Sequence, residues 1–358
     1  MTVIILQSVC GNTKLTVSVI VVNWNRRDLL RSCLQSLRSQ KINHPFEVIL
    51  VDNGSSDGSA EMAETEFGGD PAFSLRVIRN SGNRGFCAAN NQGITASGSE
   101  FVALLNNDAE AEPLWLSALL GAFSIAPDIG MAASKILVYE DPRRIDKAGH
   151  LIYPDGQNRG RGSGEWDTGQ YDRVEEVLWP DGCAAMYRRA MLDQIGGFDE
   201  DFFAYADDAE LGLRGRIAGW RSMYIPGAVV RHRRGETLGV RSTRRIVLIE
   251  RNRVLLAAKL FPWSLLCLNP FYFLARLTAG LWAALRSRGE VGRQAGAAGK
   301  LRTAWAVLRG DAAALLLLPA MFRKRAAIEK IRKLSPHEVK ALLLQYRIPL
   351  RQLTEQAV

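Results

Sequence analysis

The chain has 358 residues, of which 47% are hydrophobic, 23% charged and 8% aromatic. This ordinary globular balance excludes a disordered chain, a collagen-like fibre and a small disulfide-stapled scaffold. The formal charge of +9 is unevenly spread: residues 1–210 hold 18 Lys/Arg against 30 Asp/Glu, and residues 211–358 hold 28 against 7. An acidic front and a strongly basic back imply two jobs, one of them facing an anionic surface. The five cysteines (Cys10, Cys33, Cys87, Cys183 and Cys267) form no C-x-x-C pair and are odd in number. They offer neither a zinc ribbon nor a disulfide framework, which places the chain in a reducing compartment. Residues 1–14 lack a basic n-region and read as an N-terminal extension, not a signal peptide.

Residues 17–22 (VSVIVV) form a nearly continuous β-branched run, as expected for a strand buried on both faces. Residues 27–39 carry Leu29, Leu30, Cys33, Leu34 and Leu37 at helical spacing. A second strand is predicted at 47–51, closed by the turn-rich DNGSSDGS, a third at 75–78, a helix at 86–96 and a fourth strand at 101–105. This β-α-β-α-β order predicts an α/β, doubly wound sheet whose ligands bind at the strand C-terminal ends. Residues 153–170, rich in Gly, Arg and Asp, read as a loop or flap. Order returns at 181–188, and a helix is expected from about 205 to 218.

After His232 the character changes. Arg231, Arg233, Arg234, Arg241, Arg244, Arg245, Arg251 and Arg253 crowd a short span, followed by an apolar run over 254–285. Pro262, Asn269, Pro270 and Arg276 interrupt that run, so an interfacial or hairpin-like membrane segment fits better than a clean span. A second apolar run, 312–322, ends in Arg323-Lys324-Arg325. Apolar faces flanked by aromatics and cations suit the anionic cytoplasmic leaflet. The competing reading is a helical subdomain packed on the catalytic core.

Five ordered segments carry the chemistry. Asn23-Trp24-Asn25 closes the first strand, and Asp52 closes the second, placed to accept a hydrogen bond from a base or ribose. Asn83-Arg84-Gly85 makes a tight strand-to-helix turn that needs its glycine. Asn106-Asn107-Asp108, ending an apolar strand, is a hard-oxygen site suited to Mg²⁺ or Mn²⁺ on a diphosphate. Asp207-Asp208-Ala209-Glu210 puts three carboxylates in four residues, which need a cation, a raised pKa or full solvation. His232 follows the apolar residues 228–230, within reach of a metal. Each segment alone also fits a turn or a helix cap. Their order is what separates the readings.

Together, SVIVVNWN, EVILVDNGSSDGS, NRGFCAANNQGI, LLNNDAE, the DGCAAMYRR…FFAYADDAELGLRGRIAGW stretch and IPGAVVRH resemble the inverting glycosyltransferases of family 2, over about 60% of the chain. Within that family the pattern looks most like bacterial rhamnosyltransferases of cell-wall and O-antigen assembly. The resemblance implies a GT-A fold over 15–240 and a basic, apolar, membrane-associated helical region over 241–358. It puts Asn23, Asn25, Asp52, Asn83, Arg84 and Asn107 on the donor nucleotide, and Asp108 with His232 on Mg²⁺ or Mn²⁺. Asp208 aligns with the catalytic base, flanked by Asp207 and Glu210. Asp181, Gly182, Arg244 and Arg245 fall to the acceptor and its diphosphate.

The implied reaction is single-sugar transfer from a nucleotide sugar to a saccharide, carried on a polyprenyl diphosphate at the cytoplasmic face of the plasma membrane. dTDP-L-rhamnose is the expected donor, with UDP-linked glucose, galactose or galactofuranose as alternatives. The arginine cluster reads either as a diphosphate site or as a general membrane anchor. A processive synthase would add Q-x-x-R-W and several clean spans, which the sequence lacks. A non-enzymatic nucleic-acid or membrane-binding protein, suggested by the pI near 9.5, would leave the carboxylates without a purpose, so no nucleic-acid partner is expected.

Overall fold

The structure is a computed structural model that describes residues 15–233, 242–286, 288 and 296–355. The N-terminal extension, the expected boundary at 240/241, and Arg234 and Arg241 lie outside the described residues. The first half alternates strands and helices: β1 (Val17–Asn23), α1 (Arg27–Arg38), β2 (Phe46–Asp52), α2 (Ser59–Phe67), β3 (Leu75–Arg79), α3 (Phe86–Ala96) and β4 (Phe101–Leu105). β5 (Ala109–Ala111), α4 (Trp115–Ala122) and β6 (Ile129–Val138) follow. Three short strands come next, β7 (Ile145–Lys147), β8 (His150–Ile152) and β9 (Asn158–Gly160). β10 (Glu175–Glu176), β11 (Ala184–Arg188), α5 (Arg189–Ile195), α6 (Asp207–Ile217) and β12 (Arg221–His232) complete the sheet-bearing part.

β1 pairs in parallel with both β2 and β4, and β2 with β3, as the βαβ order requires. The sheet then departs from a purely parallel one. β11 runs antiparallel between β4 and β6, giving a ten-stranded mixed sheet in which β10-β12-β6-β11-β4-β1-β2-β3 form the main path, β5 pairs with β12 and β7 with β6. Pleating sorts each central strand onto two cores. Val17, Val19 and Val21 of β1, with Val48 and Leu50 of β2, face Leu30, Leu34 and Leu37 of α1. Ile20, Ile49 and Val51 face Ile94 of α3 on the other side.

The second core continues into the C-terminal helices α7 (Thr243–Leu260), α8 (Trp263–Leu266), α9 (Asn269–Leu285), α10 (Gly296–Glu329), α11 (Pro336–Gln345) and α12 (Leu350–Glu355). The apolar run expected at the membrane therefore divides. Leu255, Leu256, Leu260 and Phe261 are buried against the catalytic sheet's partners. Phe271, Leu274, Leu281, Trp282 and Leu285 of α9 are exposed. α10 exposes Leu301, Trp305, Leu308, Leu315 and Leu316, and its residues Ala298–Glu329 are long and apolar enough to cross a membrane. Of the three cations that close the run, Lys324 pairs with Asp199 and Asp201, and Arg325 donates to the Ala258 carbonyl. Those two serve packing; Arg323 is exposed.

Candidate active site

The C-terminal ends of β1, β2 and β4, the 83–85 turn, the start of α6 and the end of β12 surround one cavity of about 1360 Å³. Asp108 and Asp208, far apart in sequence, both line it. So do Asn83, Asn107, Asp207, His232, Asp181 and Gly182, and so do Arg244 and Arg245 from α7.

Other expected residues stand behind that lining. Asn23 is fully buried, donates to Asp52 at 3.2 Å and accepts from Asn107 Nδ2 at 2.6 Å. Asp52 also accepts the Ser55 N–H at 2.9 Å. Asn25, at φ 50°, accepts the Ser56 N–H at 2.7 Å and shapes the same turn. Arg84 is exposed; its backbone N–H donates to Asn53 Oδ1 at 3.1 Å. Asn53, which the sequence reading passed over, lines the cavity in place of Asp52 and also donates to Asn83 and to the Gly85 carbonyl.

Glu210 is not brought to the cavity. It is 0% exposed, held by Nε and Nη2 of Arg214 at 2.8 and 2.7 Å and by Lys259 at 2.6 Å. Burial opposes its charge, but Arg214 and Lys259 outweigh that and hold its carboxyl below the usual range. Glu210 lies two residues past Asp208, about 200° around the helix, so it turns away from the cavity that Asp208 lines.

Gly85 sits at φ +87°, and a Cβ there would lie 2.5 Å from the Phe203 ring. The Phe203 carbonyl in turn accepts the Phe86 and Cys87 N–H groups at the start of α3, at 2.8 and 3.2 Å. Phe203, Tyr205 and Ala206 all hold positive φ (63°, 69° and 54°) just before Asp207. Such conformations cost about 1–3 kcal/mol each and persist only where neighbours over-determine them. Asn252 of α7 supplies that restraint. Fully buried, its Nδ2 donates to the carbonyls of Phe202, Ala204 and Tyr205 at 2.9, 2.9 and 2.6 Å. The loop so held delivers Asp207 and Asp208 to the first turn of α6.

Asp207 is buried and Asp208 is partly so, unlike the carboxylates of a solvated helix start. Burial first, and then the Asp208 charge, pushes the Asp207 carboxyl well up. Burial also raises Asp208, with His150 opposing and Asp181 adding to the rise. Asp208 accepts the Ala209 N–H at 2.8 Å and the Gly182 N–H at 3.2 Å. Asp181 goes the other way. Burial penalises its charge, but Lys147 and His150, at 2.5 and 2.8 Å, outweigh it and hold the carboxyl well below the usual range. His150, Asp181 and Asp208 bring their ligand atoms within 4.8 Å of one another, and Lys147 already supplies a cation to that cluster. Lys147 and His150 sit on the three-residue strands β7 and β8, too short to show any periodicity in sequence.

Asp108 and His232 meet at the other wall. His232 Nδ1 lies 2.7 Å from Asp146 Oδ2, and its Nε2 lies 3.4 Å from Asp108 Oδ1. That oxygen is buried and takes part in no hydrogen bond. Burial opposes an imidazolium, yet Cys183, Asp108 and Asp146 raise His232 well above its ordinary range. A proton on His232 and a divalent cation are alternative answers to the same negative charge. A hard carboxylate oxygen beside an imidazole whose other nitrogen is fixed by a carboxylate fits Mg²⁺ or Mn²⁺.

The mixed α/β sheet, with its cavity at the strand C-terminal ends, is that of a GT-A glycosyltransferase. Residues 18–196 match the model of glycosyl transferase family 2, and residues 167–322 that of glycosyl transferase family group 2. The chain belongs to glycosyltransferase family 2. It is 29% identical over 246 residues to an N-acetylglucosaminyl-diphospho-decaprenol L-rhamnosyltransferase of Mycobacterium tuberculosis, covering 62% of this chain and 77% of that one. It is 30% identical over 217 residues to the O-antigen biosynthesis protein RfbC of Myxococcus xanthus, covering 57% and 16%. The solved structure of GalNAc-T7 with UDP, GalNAc and Mn²⁺ superposes with a TM-score of 0.57 at 14% identity, covering 77% of this chain and 51% of that one. That likeness is one of fold, GT-A.

Proposed function

We propose that the chain transfers L-rhamnose from dTDP-L-rhamnose, with inversion, to a saccharide carried on a polyprenyl diphosphate at the cytoplasmic face of the plasma membrane. The observation that carries this reading is the shared cavity: the Asp108–His232 pair on one wall, and Asp208 with a raised carboxyl pKa on another. An acceptor hydroxyl is a poor nucleophile at neutral pH, and Asp208 is the carboxylate placed to take its proton. The Gly182 and Ala209 N–H groups fix the orientation of Asp208. Asn53, Asn83 and Asn107 present amides to the base and sugar of the donor. Asp108 and His232 would hold Mg²⁺ or Mn²⁺, which neutralises charge growing on a leaving nucleoside diphosphate. The exposed apolar faces of α9 and α10 seat the enzyme on an anionic membrane surface. The rhamnosyltransferase of Mycobacterium supports the choice of sugar and of acceptor.

The test is a screen of dTDP-L-rhamnose and of UDP-linked glucose, galactose, N-acetylglucosamine and galactofuranose, with Mn²⁺ or Mg²⁺ and a membrane extract, reading nucleotide release. Selective consumption of dTDP-L-rhamnose is expected. Selective use of a UDP-sugar would replace the donor.

A further inference from the structure

The cavity does not end at the carboxylates. It continues as a groove walled by α7, α9 and α10. Its inner end is basic. Arg244 and Arg245 stand over the rings of Phe203 and Tyr205, at 5.5 and 5.8 Å, on the same loop that delivers Asp208. The walls are mixed: Ile246 and Ile249 of α7, Leu277 and Leu281 of α9, and Ala304 and Leu308 of α10 each recur at helical spacing, alongside the ion-paired Glu250, Arg253 and Arg276 and the cations Arg288 and Lys300.

Two observations show where this groove leads. Leu281 and Leu308 line it and are nevertheless 64% and 59% exposed, so they form its rim. Beyond that rim lie the exposed apolar faces of α9 and α10. Small residues keep the passage open: a Cβ added at Gly280 meets no atom within 4 Å, although Gly280 lines the groove. A groove that interleaves apolar stripes with cations and opens onto an apolar face matches an amphiphile with an anionic head and a hydrocarbon tail.

We infer that this groove holds the first isoprene units of the lipid-diphosphate acceptor, running from Arg244 and Arg245 past Ile249, Leu277 and Leu281 to Leu308. The inference rests on the acceptor class proposed above. It fixes something that class leaves open, namely that the tail is read by the protein and is not simply left in the bilayer. Because each buried methylene contributes about 0.8 kcal/mol, a few isoprene carbons in the groove favour long-tailed acceptors by tenfold or more.

The experiment has two arms on the full chain in detergent micelles. In the first, a farnesyl diphosphate bearing a tail diazirine is photolysed with the wild-type protein and no donor, and the labelled residues are mapped by mass spectrometry. Label at Ile249, at 277–284 and at 307–308 is expected. Label confined to the outer face at Leu315 and Leu316, or removed by excess dioleoylphosphatidylglycerol, would assign the surface to bulk lipid and overturn the inference.

In the second arm, Gly280→Phe fills the open space without a backbone clash. The ratio of kcat/KM for a farnesyl-tailed over a methyl-capped saccharide diphosphate should fall from about tenfold to about one, while Ile125→Ser, exposed just after α4 and outside the groove lining, keeps the wild-type ratio. A Gly280→Phe ratio equal to wild type would overturn the inference. Capture of the probe in the groove by a chain that consumes no dTDP-L-rhamnose would uphold the groove and sink the donor assignment.

Discussion

Asp208→Asn is the sharpest test of the chemistry. The substitution is isosteric, and the amide oxygen can keep the Ala209 N–H bond at 2.8 Å. It gives up the Gly182 N–H bond at 3.2 Å, a net cost of about 0.5–1.5 kcal/mol. Removing a charge from a pocket that already holds Asp207 and Asp181 offsets that cost, because burial and Asp181 both disfavour the ionised form. The fold should therefore survive with little change in Tm. What disappears is proton removal, for which a positioned base contributes about 10²–10⁴-fold. A loss near 10³ in kcat corresponds to about 4 kcal/mol of barrier. The proposed donor site, at Asn53, Asn83, Asn107 and Asp108, is untouched, so nucleotide-sugar affinity by thermal shift should match wild type. In wild type the acid limb of kcat should lie above the ordinary carboxylate range, since Asp208 must ionise against a raised pKa. A variant retaining a tenth of wild-type kcat, or one that loses donor binding in parallel, would refute the assignment of Asp208 as base.

Other consequences can be read in the same way. Asp207 has a folded pKa raised well above its unfolded value, so its contribution to stability is full below the unfolded pKa and is lost as pH rises through the folded one. Asp207→Asn, which mimics the protonated form, should raise Tm at pH 8, with the gain shrinking towards pH 5 in a melting series. Glu210→Ala leaves Lys259 with Asp199 and Arg214 with the carbonyls of residues 195–197 but removes the carboxylate between them, and should cost about 3 kcal/mol by denaturant titration, with kcat per folded molecule little changed. Asn252→Ala frees the 202–205 loop and should lower kcat about 10²-fold with donor affinity retained; Asn252→Asp, which repels the three carbonyls, should be worse in the same assay. Charge reversal at Arg244 and Arg245 should slow transfer to a lipid-diphosphate acceptor at least tenfold more than to a water-soluble one, measured as kcat/KM for each.

The front of the fold was legible because its signals are local. The helix at 86–96 and the strand at 101–105 lie where periodicity puts them, and 17–22 and 27–39 differ from β1 and α1 by one residue at an end. Those segments are long enough to show a period, and they end in Gly- or Asn-rich turns. β11 reads as an ordinary apolar strand, and nothing in its residues states that it inserts antiparallel between β4 and β6. The carboxylates of 207–210 could be recognised as a group, but which of them face the ligand depends on helical phase and on cations from α7. Lys147 and His150 left no trace because three-residue strands carry no pattern. Asn252 left only a faint one, an uncharged polar residue amid the arginines and leucines of α7. The apolar run at 254–285 has the same composition whether it meets lipid or protein, and only packing showed that its first third meets protein.

One further feature bears on how the molecule can be divided. Arg276 of α9 holds Asp155 of the 153–157 turn at 2.6 Å and both oxygens of Glu250 at 2.6–2.9 Å. Arg253 ties the same Glu250 to Asp311 of α10. Because these charges are shielded from solvent, cutting the chain after the sheet would leave the fully buried Asp155 without Arg253 and Arg276. Expression of the front portion alone should therefore yield inclusion bodies, and the C-terminal helices belong to the catalytic unit as fully as its strands do.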